Sequence, residues 1–218
     1  MKSTRIRNMT VTAMLCALAY IVMFLVHFKV MFLTFDLKDA ILTLTALLYG
    51  PVYGVVSAAL VALLEFVTVS DTGLYGLLMN FLSSATFAFV AGAVYKRRRD
   101  LTGAVLGMVF AAVAMVAVMM AANLLITPFY MGVTAAEVGA MIPTLLLPFN
   151  MCKAVMNAAA VLLLYKPLTV ALRRIGVLEH GPSSYKLDVK TVVIVVTAVA
   201  LIVAACIVLT VVLGGNIG

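Results

Sequence analysis

Three polar side chains in a long apolar segment are the first candidates for binding chemistry. Asn150, Lys153 and Asn157 are spaced i, i+3 and i+7, so a helix would carry them on one face. Amides donate and accept hydrogen bonds and an ammonium only donates, so all three side chains could contact a polar ligand. We expect this face to point into the protein. The alternative is that Lys153 snorkels to an interface while the asparagines bond neighbouring helices.

Three further polar residues fall at a similar depth in other apolar segments. Glu65 lies about one turn from the end of its segment, where it would face water or pair with Lys153. Asn123 lies about one turn from the end of another segment, and Asn80 lies about two turns into a third. We expect Glu65, Asn80 and Asn123 to lie close to Asn150 and Lys153.

The segment from Phe32 to Asp39 mixes aromatic and charged residues immediately before a short apolar stretch. Asp39 is suited to cap the helix that begins there. The composition fits a lid or wall over a pocket, and it fits an interfacial loop equally well.

The composition of the chain indicates which kind of secondary structure carries these residues. The 218-residue chain is 66% hydrophobic and 11% charged, with a mean hydropathy of +1.23. A soluble domain is about 45–50% apolar and about 25% charged. Lipid must therefore be the solvent, and lipid permits only helices and closed barrels, because backbone polar groups must be satisfied internally. The apolar segments are continuous rather than alternating, which favours helices over a barrel.

The apolar segments predict an all-α membrane protein with a six-helix transmembrane bundle and a seventh, C-terminal transmembrane helix. Residues 1–174 would form the bundle, 175–189 a polar linker and 190–218 the additional helix. Tyr49-Gly50-Pro51 separates a short helix from the next one, and Thr127-Pro128 is expected to end the fifth. The predicted helices run over about 8–28, 39–49, 51–69, 74–95, 102–126, 148–172 and 190–213, with a further short helix expected before Pro143.

The positions of the basic residues explain the net charge of +7. With a cytoplasmic N-terminus, the outer loops keep Lys29 and Lys38, and the C-terminus is outside if the seventh helix spans. These charges are topology signals facing anionic lipid, so no nucleic-acid partner is expected. The inner side collects ten basic residues: Lys2, Arg5, Arg7, Lys96 to Arg99, Lys166, Arg173 and Arg174.

Motifs for catalysis and metal binding are lacking in the sequence. It contains no H-E-x-x-H motif, and its cysteines, Cys16, Cys152 and Cys206, have no metal-ligand spacing. We therefore expect neither an enzyme nor a metal site. No Gly-Lys dipeptide exists, so the chain lacks the phosphate-binding loop of an ATPase.

Four stretches together resemble the substrate-binding S component of energy-coupling factor (ECF) vitamin transporters, most closely its riboflavin-specific branch. They are Ala13 to Ala17; Phe32 to Asp39 with Tyr49 to Gly54; Asn123 to Tyr130; and Leu147 to Asn157. The resemblance covers residues 1 to about 175, and the last two stretches are the most specific. The seventh helix has no counterpart in it.

The resemblance implies a bundle that binds riboflavin near the outer face, with riboflavin as transported substrate and no further cofactor. Asn123, Asn150 and Lys153 would contact the flavin, and the residues from Leu37 to Thr43, which include Asp39, would flank its ribityl chain. Ala13 and Ala17, a small-xxx-small pair that alone would indicate internal packing, would dock onto a transmembrane coupling subunit carrying two cytoplasmic ATPase subunits. The alternatives are an S component for another vitamin or for flavin mononucleotide, and a stand-alone secondary transporter.

Overall fold

The computed structural model describes residues 2–174, 176, 189–208, 211 and 216–217. These residues form an all-α membrane bundle with one small sheet, which confirms the predicted fold class. The elements are α1 Lys2–Leu25, β1 His27–Val30, β2 Leu33–Asp36, α2 Lys38–Tyr49, α3 Pro51–Thr68, α4 Gly73–Arg97, α5 Leu101–Met131, α6 Ala135–Met141, a π-helical turn Ile142–Leu146, α7 Leu147–Arg174, α8 Val189–Ile207 and β3 Asn216–Ile217. Apart from Gly176 and Val189, the predicted linker lies outside the described residues, as do several positions after residue 208 in the predicted seventh helix.

Five helical segments among the described residues are long and apolar enough to cross a membrane: Arg5–Leu25, Pro51–Thr68, Gly73–Arg97, Leu101–Met131 and Ala135–Arg174. In α8 the apolar stretch is shorter, Val195–Ile207. The 12 residues of α2 span only about 18 Å, against about 30 Å of hydrocarbon. Ten consecutive residues of α2 are buried, so this helix lies inside the protein, surrounded by its neighbours.

A glycine–proline corner sets the course of α2. Gly50 has a φ of 108°, a backbone conformation that is strained for any residue with a side chain. Pro51 is the first residue of α3, where the missing N–H of proline costs little. A Cβ on Gly54 would lie 2.6 Å from the Cβ of Ala46, and one on Gly92 would lie 3.0 Å from it. Glycine at both positions lets α3 and α4 approach the last turn of α2 closely, which holds the end of α2 inside the bundle.

The fifth helix is longer than the sequence predicted. Thr127-Pro128 does not end it; α5 continues to Met131 and ends where Gly132 takes the left-handed conformation, with φ of 68°. Proline removes one backbone hydrogen bond, a loss that membrane helices tolerate when neighbouring groups satisfy the freed carbonyl. The extra turn brings Thr127 and Tyr130 to the same end of the bundle as Asn123.

The segment predicted as a loop between the first two helices is a β-hairpin. β1 and β2 are antiparallel, with Val30 opposite Leu33, and β3 pairs with the other edge of β1. Val30 and Phe35 are fully buried, and they belong to a cluster with Phe149 of α7 and Ala205 of α8. The hairpin is thereby packed against the bundle. We call this end, with the α3–α4 turn, the hairpin end, and the end carrying Lys96 to Arg99 the basic end.

The helix beyond the six-helix bundle, α8, packs against α7, with Ala198 and Ala205 buried at the contact. The main neighbours of α1 are α2 and α3. On α1, Ala13 and Ala17 are exposed, so within the described residues they do not serve as internal packing.

Candidate ligand site

The polar face of α7 points into the bundle. Asn150, Lys153 and Asn157 are all buried, and Lys153 is only 4% exposed, which excludes the snorkelling alternative. Asn157 holds the hairpin to α7: its Oδ1 accepts from the Ala40 N–H at 2.9 Å, and its Nδ2 donates to the backbone carbonyl of Asp36 at 3.1 Å. On this face, Asn150 and Lys153 therefore line a cavity, whereas Asn157 fastens the end of β2 and the start of α2 to α7.

Asp36, a residue to which the sequence analysis gave no role, is the partner of Lys153. Its side chain is fully buried at the end of β2, and its Oδ2 lies 3.2 Å from Lys153 Nζ and 3.0 Å from Lys38 Nζ. Oδ1 accepts from the backbone N–H of Lys38 at 3.1 Å, which orients the carboxylate. Asp39 Oδ2 is a second carboxylate oxygen near Lys153, at 3.9 Å.

Lys38 is not an outer-loop residue, contrary to the sequence prediction. It is 1% exposed and forms ion pairs with Asp36 and, at 2.8 Å, with Glu65. Glu65 therefore pairs with Lys38, whereas the alternatives predicted from the sequence were that it faces water or pairs with Lys153. Glu65 also accepts a hydrogen bond from Asn80 Nδ2 at 2.8 Å. The result is a continuous chain of contacts from Lys153 on α7 to Asn80 on α4.

Asp39 does not cap α2. The helix begins one residue earlier, at Lys38, with Leu37 at the N-cap position and no capping hydrogen bond from a side chain. Asp39 instead accepts a hydrogen bond from Ser84 of α4. Thr43, one turn further along α2, is fully buried, and Leu37 packs against the core. These three residues do not line either cavity described below.

A first cavity of about 100 Å³ lies at the hairpin end, between β2, α4, α5 and α7. Asn123 and Asn150 reach it from α5 and α7. Each Nδ2 donates to a carbonyl of its own helix, at 2.7 Å to Met119 and at 2.8 Å to Leu146. These bonds hold both amides in place and leave further polar capacity for a ligand. The lining is Phe32, Leu33, Thr34, Thr72, Tyr75, Gly76, Met79, Asn80, Ser83, Met119, Asn123, Ile126, Thr127, Tyr130, Asn150 and Lys153.

A second cavity, of about 370 Å³, adjoins the first and is more polar along the α3–α4 turn. The two share Phe32, Thr34, Thr72, Asn80 and Tyr130 as lining residues. An ion pair between Lys29 of β1 and Asp71 of the α3–α4 turn lies at its mouth and joins the hairpin to that turn. Ligand sites usually have volumes of about 300–1,000 Å³, so the adjoining cavities together reach that range.

Another cavity, of about 400 Å³ between α5, α7 and α8, has a different character. Among the described residues that line it, Thr197 alone has a polar side chain, so this lining offers little to orient a polar ligand. Within the residues that the structure describes, no three His, Cys, Asp or Glu side chains are arranged so that they could hold a metal ion. The two cavities at the hairpin end therefore form the candidate site, which brings together Asn80, Asn123, Asn150, Lys153 and Glu65.

Comparison with known proteins gives a consistent result. The family "ECF transporter, substrate-specific component" matches residues 7–165. The riboflavin transporter RibU of Staphylococcus aureus (strain TCH60) is 28% identical over 179 residues, covering 78% of this chain and 94% of the relative. A solved structure described as the S component of a bacterial ECF transporter is 28% identical, with a TM-score of 0.67, over 78% of this chain and 99% of that chain. The chain belongs to the family of substrate-specific components of ECF transporters.

Proposed function

We propose that this chain binds riboflavin at the hairpin end of the bundle and serves its uptake across the cell membrane. The observation that carries the proposal is the convergence of Asn123, Asn150 and Lys153 on one cavity walled by apolar side chains. The riboflavin transporter RibU is similar over most of its length, which supports the choice of vitamin.

The side chains that line the first cavity suit the tricyclic ring of riboflavin in their chemistry. Its imide edge alternates acceptors and a donor, which the amides of Asn123 and Asn150 and the ammonium of Lys153 complement. Leu33, Met79, Met119 and Ile126 supply the apolar wall that a ring system needs.

The ribityl chain suits the second cavity, where Thr34, Glu65, Asp71, Thr72 and Asn80 offer hydroxyl, carboxylate and amide groups. The residues from Leu37 to Thr43, which the resemblance implies would flank this chain, do not line either cavity. We propose that Leu37, Asp39 and Thr43 support the site from the core.

Energy for uptake would come from partner subunits. The chain itself has no phosphate-binding loop, and the exposed Ala13 and Ala17 on α1 offer a surface against which a helix of a transmembrane coupling subunit can pack closely. Two cytoplasmic ATPase subunits would act through that subunit. The excess of basic residues supports an orientation with the basic end in the cytoplasm and the hairpin end outside.

The test is a titration of the detergent-purified protein with riboflavin, followed by flavin fluorescence, because the chain has no tryptophan. We expect saturable quenching at one site. Lys153→Ala and Asn150→Ala should each weaken binding by more than about tenfold, since a hydrogen bond to a charged or buried group is worth about 1–3 kcal/mol.

Matched substitutions at the basic end, Lys96→Ala and Asn8→Ala, should leave the dissociation constant unchanged, and gel filtration would show that all four variants fold. Wild-type affinity in both site variants would move the site elsewhere. A protein that ignores riboflavin but binds another vitamin would overturn the choice of substrate.

A further inference from the structure

Every buried ammonium group near the candidate site has a carboxylate partner. Lys153 pairs with Asp36 at 3.2 Å, and Lys38 pairs with Asp36 at 3.0 Å and with Glu65 at 2.8 Å. Asp39 Oδ2 lies 3.9 Å from Lys153. These five residues form a paired cluster with three carboxylates and two ammonium groups. In their ordinary ionisation states the cluster carries a net charge of −1.

Among the described residues that line it, the second cavity adds no unpaired cation to this balance. These residues include one lysine, Lys29, which forms an ion pair with Asp71. Glu65 reaches the same cavity from the paired cluster. A ligand bound across both cavities would therefore meet ammonium groups that are already compensated, together with an excess of carboxylate.

Such a site favours the binding of an uncharged ligand over that of an anionic one. A phosphate ester would lose its hydration without gaining an unpaired cation, and a buried charge without a partner is costly. From its pairing with Lys153 we infer that Asp36 is a specificity-determining residue: it lets the site select an uncharged flavin over the phosphate ester of that flavin. The inference rests on the proposed function, because it concerns the ligand of the same site.

Asp36 acts here through Lys153, since it does not line either cavity. It holds the ammonium toward the first cavity and cancels its charge. At an effective dielectric constant of about 20, one unit charge about 10 Å from a phosphate changes its dissociation constant roughly tenfold. A purely structural role for Asp36 would weaken both ligands equally, so the ratio of the two affinities separates the two roles.

The experiment measures dissociation constants for riboflavin and flavin mononucleotide by flavin fluorescence at fixed ionic strength. Asp36→Asn keeps the shape of the side chain and takes the cluster from −1 to neutral. It should lower the ratio of the mononucleotide constant to the riboflavin constant by about tenfold. Lys38→Met takes the cluster to −2 without touching either cavity, so it should raise the ratio. Asp36→Glu keeps the charge and should retain the wild-type ratio.

Asp100→Asn is the matched control, because Asp100 is an exposed aspartate at the basic end. It should leave both constants unchanged. If Asp36→Asn does not fold, Glu65→Gln also neutralises the cluster and should lower the ratio.

A parallel loss for both ligands in Asp36→Asn, or a shift of the ratio in the same direction for Asp36→Asn and Lys38→Met, would overturn the inference. If the wild type binds riboflavin and flavin mononucleotide with nearly equal dissociation constants, the inference is also overturned, although the proposed riboflavin binding still holds. Absence of riboflavin binding by the wild type would instead sink the proposed function.

Discussion

Replacing Asn157 should test whether a residue can stabilise the candidate site without contacting the ligand. Its amide fastens the hairpin and the start of α2 to α7 through the Ala40 N–H and the Asp36 carbonyl. It lines neither cavity. Asn157→Leu fills a similar volume but removes both bonds.

The expected cost follows from what each partner loses. The Asp36 carbonyl loses its bond to Nδ2, and an unsatisfied buried acceptor costs about 1–3 kcal/mol. The Ala40 N–H loses its 2.9 Å partner but keeps a bond to the Leu37 carbonyl at 3.2 Å, so its loss is smaller. We expect a total near 2 kcal/mol. At about 2–4 °C per kcal/mol for a chain of this size, the midpoint of thermal unfolding should fall by about 4–8 °C.

Thermal unfolding can be followed with a thiol-reactive dye, because Cys16 and Cys152 are buried and unpaired in the fold. Ser57→Ala is the matched control: the Ser57 hydroxyl is buried but has no hydrogen-bond partner within the described residues, so its removal should cost less than about 0.5 kcal/mol. An unfolding midpoint for Asn157→Leu within 2 °C of the wild type, or an equal drop for Ser57→Ala, would refute this reasoning.

Three further predictions concern surfaces away from the cavities. The double variant Ala13→Leu and Ala17→Leu should bind riboflavin as the wild type does but fail to co-purify with a coupling subunit, because bulky side chains block close helix approach; co-purification of the variant would contradict this. Truncation after Gly176 removes α8 and β3, neither of which lines either cavity, so the dissociation constant for riboflavin should stay within about threefold of the wild-type value. Thermal stability should fall with the loss of the Ala205 contact and of the pairing between β1 and β3; a titration that shows lost binding would refute this prediction. At Asp100, hydrogen bonds from the Gly103 N–H and Arg98 hold the pKa below its ordinary value. Its stabilising contribution should be complete above pH of about 4 and be lost as pH falls through the lowered pKa. Asp100→Ala should therefore unfold earlier than wild type at pH 7, with a difference that shrinks below pH 4; a constant difference would count against this explanation.

The position of a residue could be predicted from the sequence where the alternative position carries a large free-energy cost. A lysine between two asparagines in an apolar segment is costly in lipid, so its burial in the bundle follows from the helical spacing alone. The corner at Gly50-Pro51 was predictable for the same reason, because local backbone rules determine it.

Asp36 and Lys38 were missed because their environment is made by distant parts of the chain. In sequence they look like charges of an outer loop. The fold buries them at the start of α2, where Glu65 of α3 and Lys153 of α7 pair with them. Strands of four residues carry too little periodicity to be recognised, so the hairpin was also missed.

The most direct test of the central claim is a structure of the protein determined with riboflavin at saturating concentration. We expect density for the flavin ring in the first cavity, with its imide edge at about 3 Å from the side chains of Asn123, Asn150 and Lys153, and for the ribityl chain in the second cavity beside Asn80. Density in the apolar cavity between α5, α7 and α8, or an empty first cavity at saturation, would contradict it.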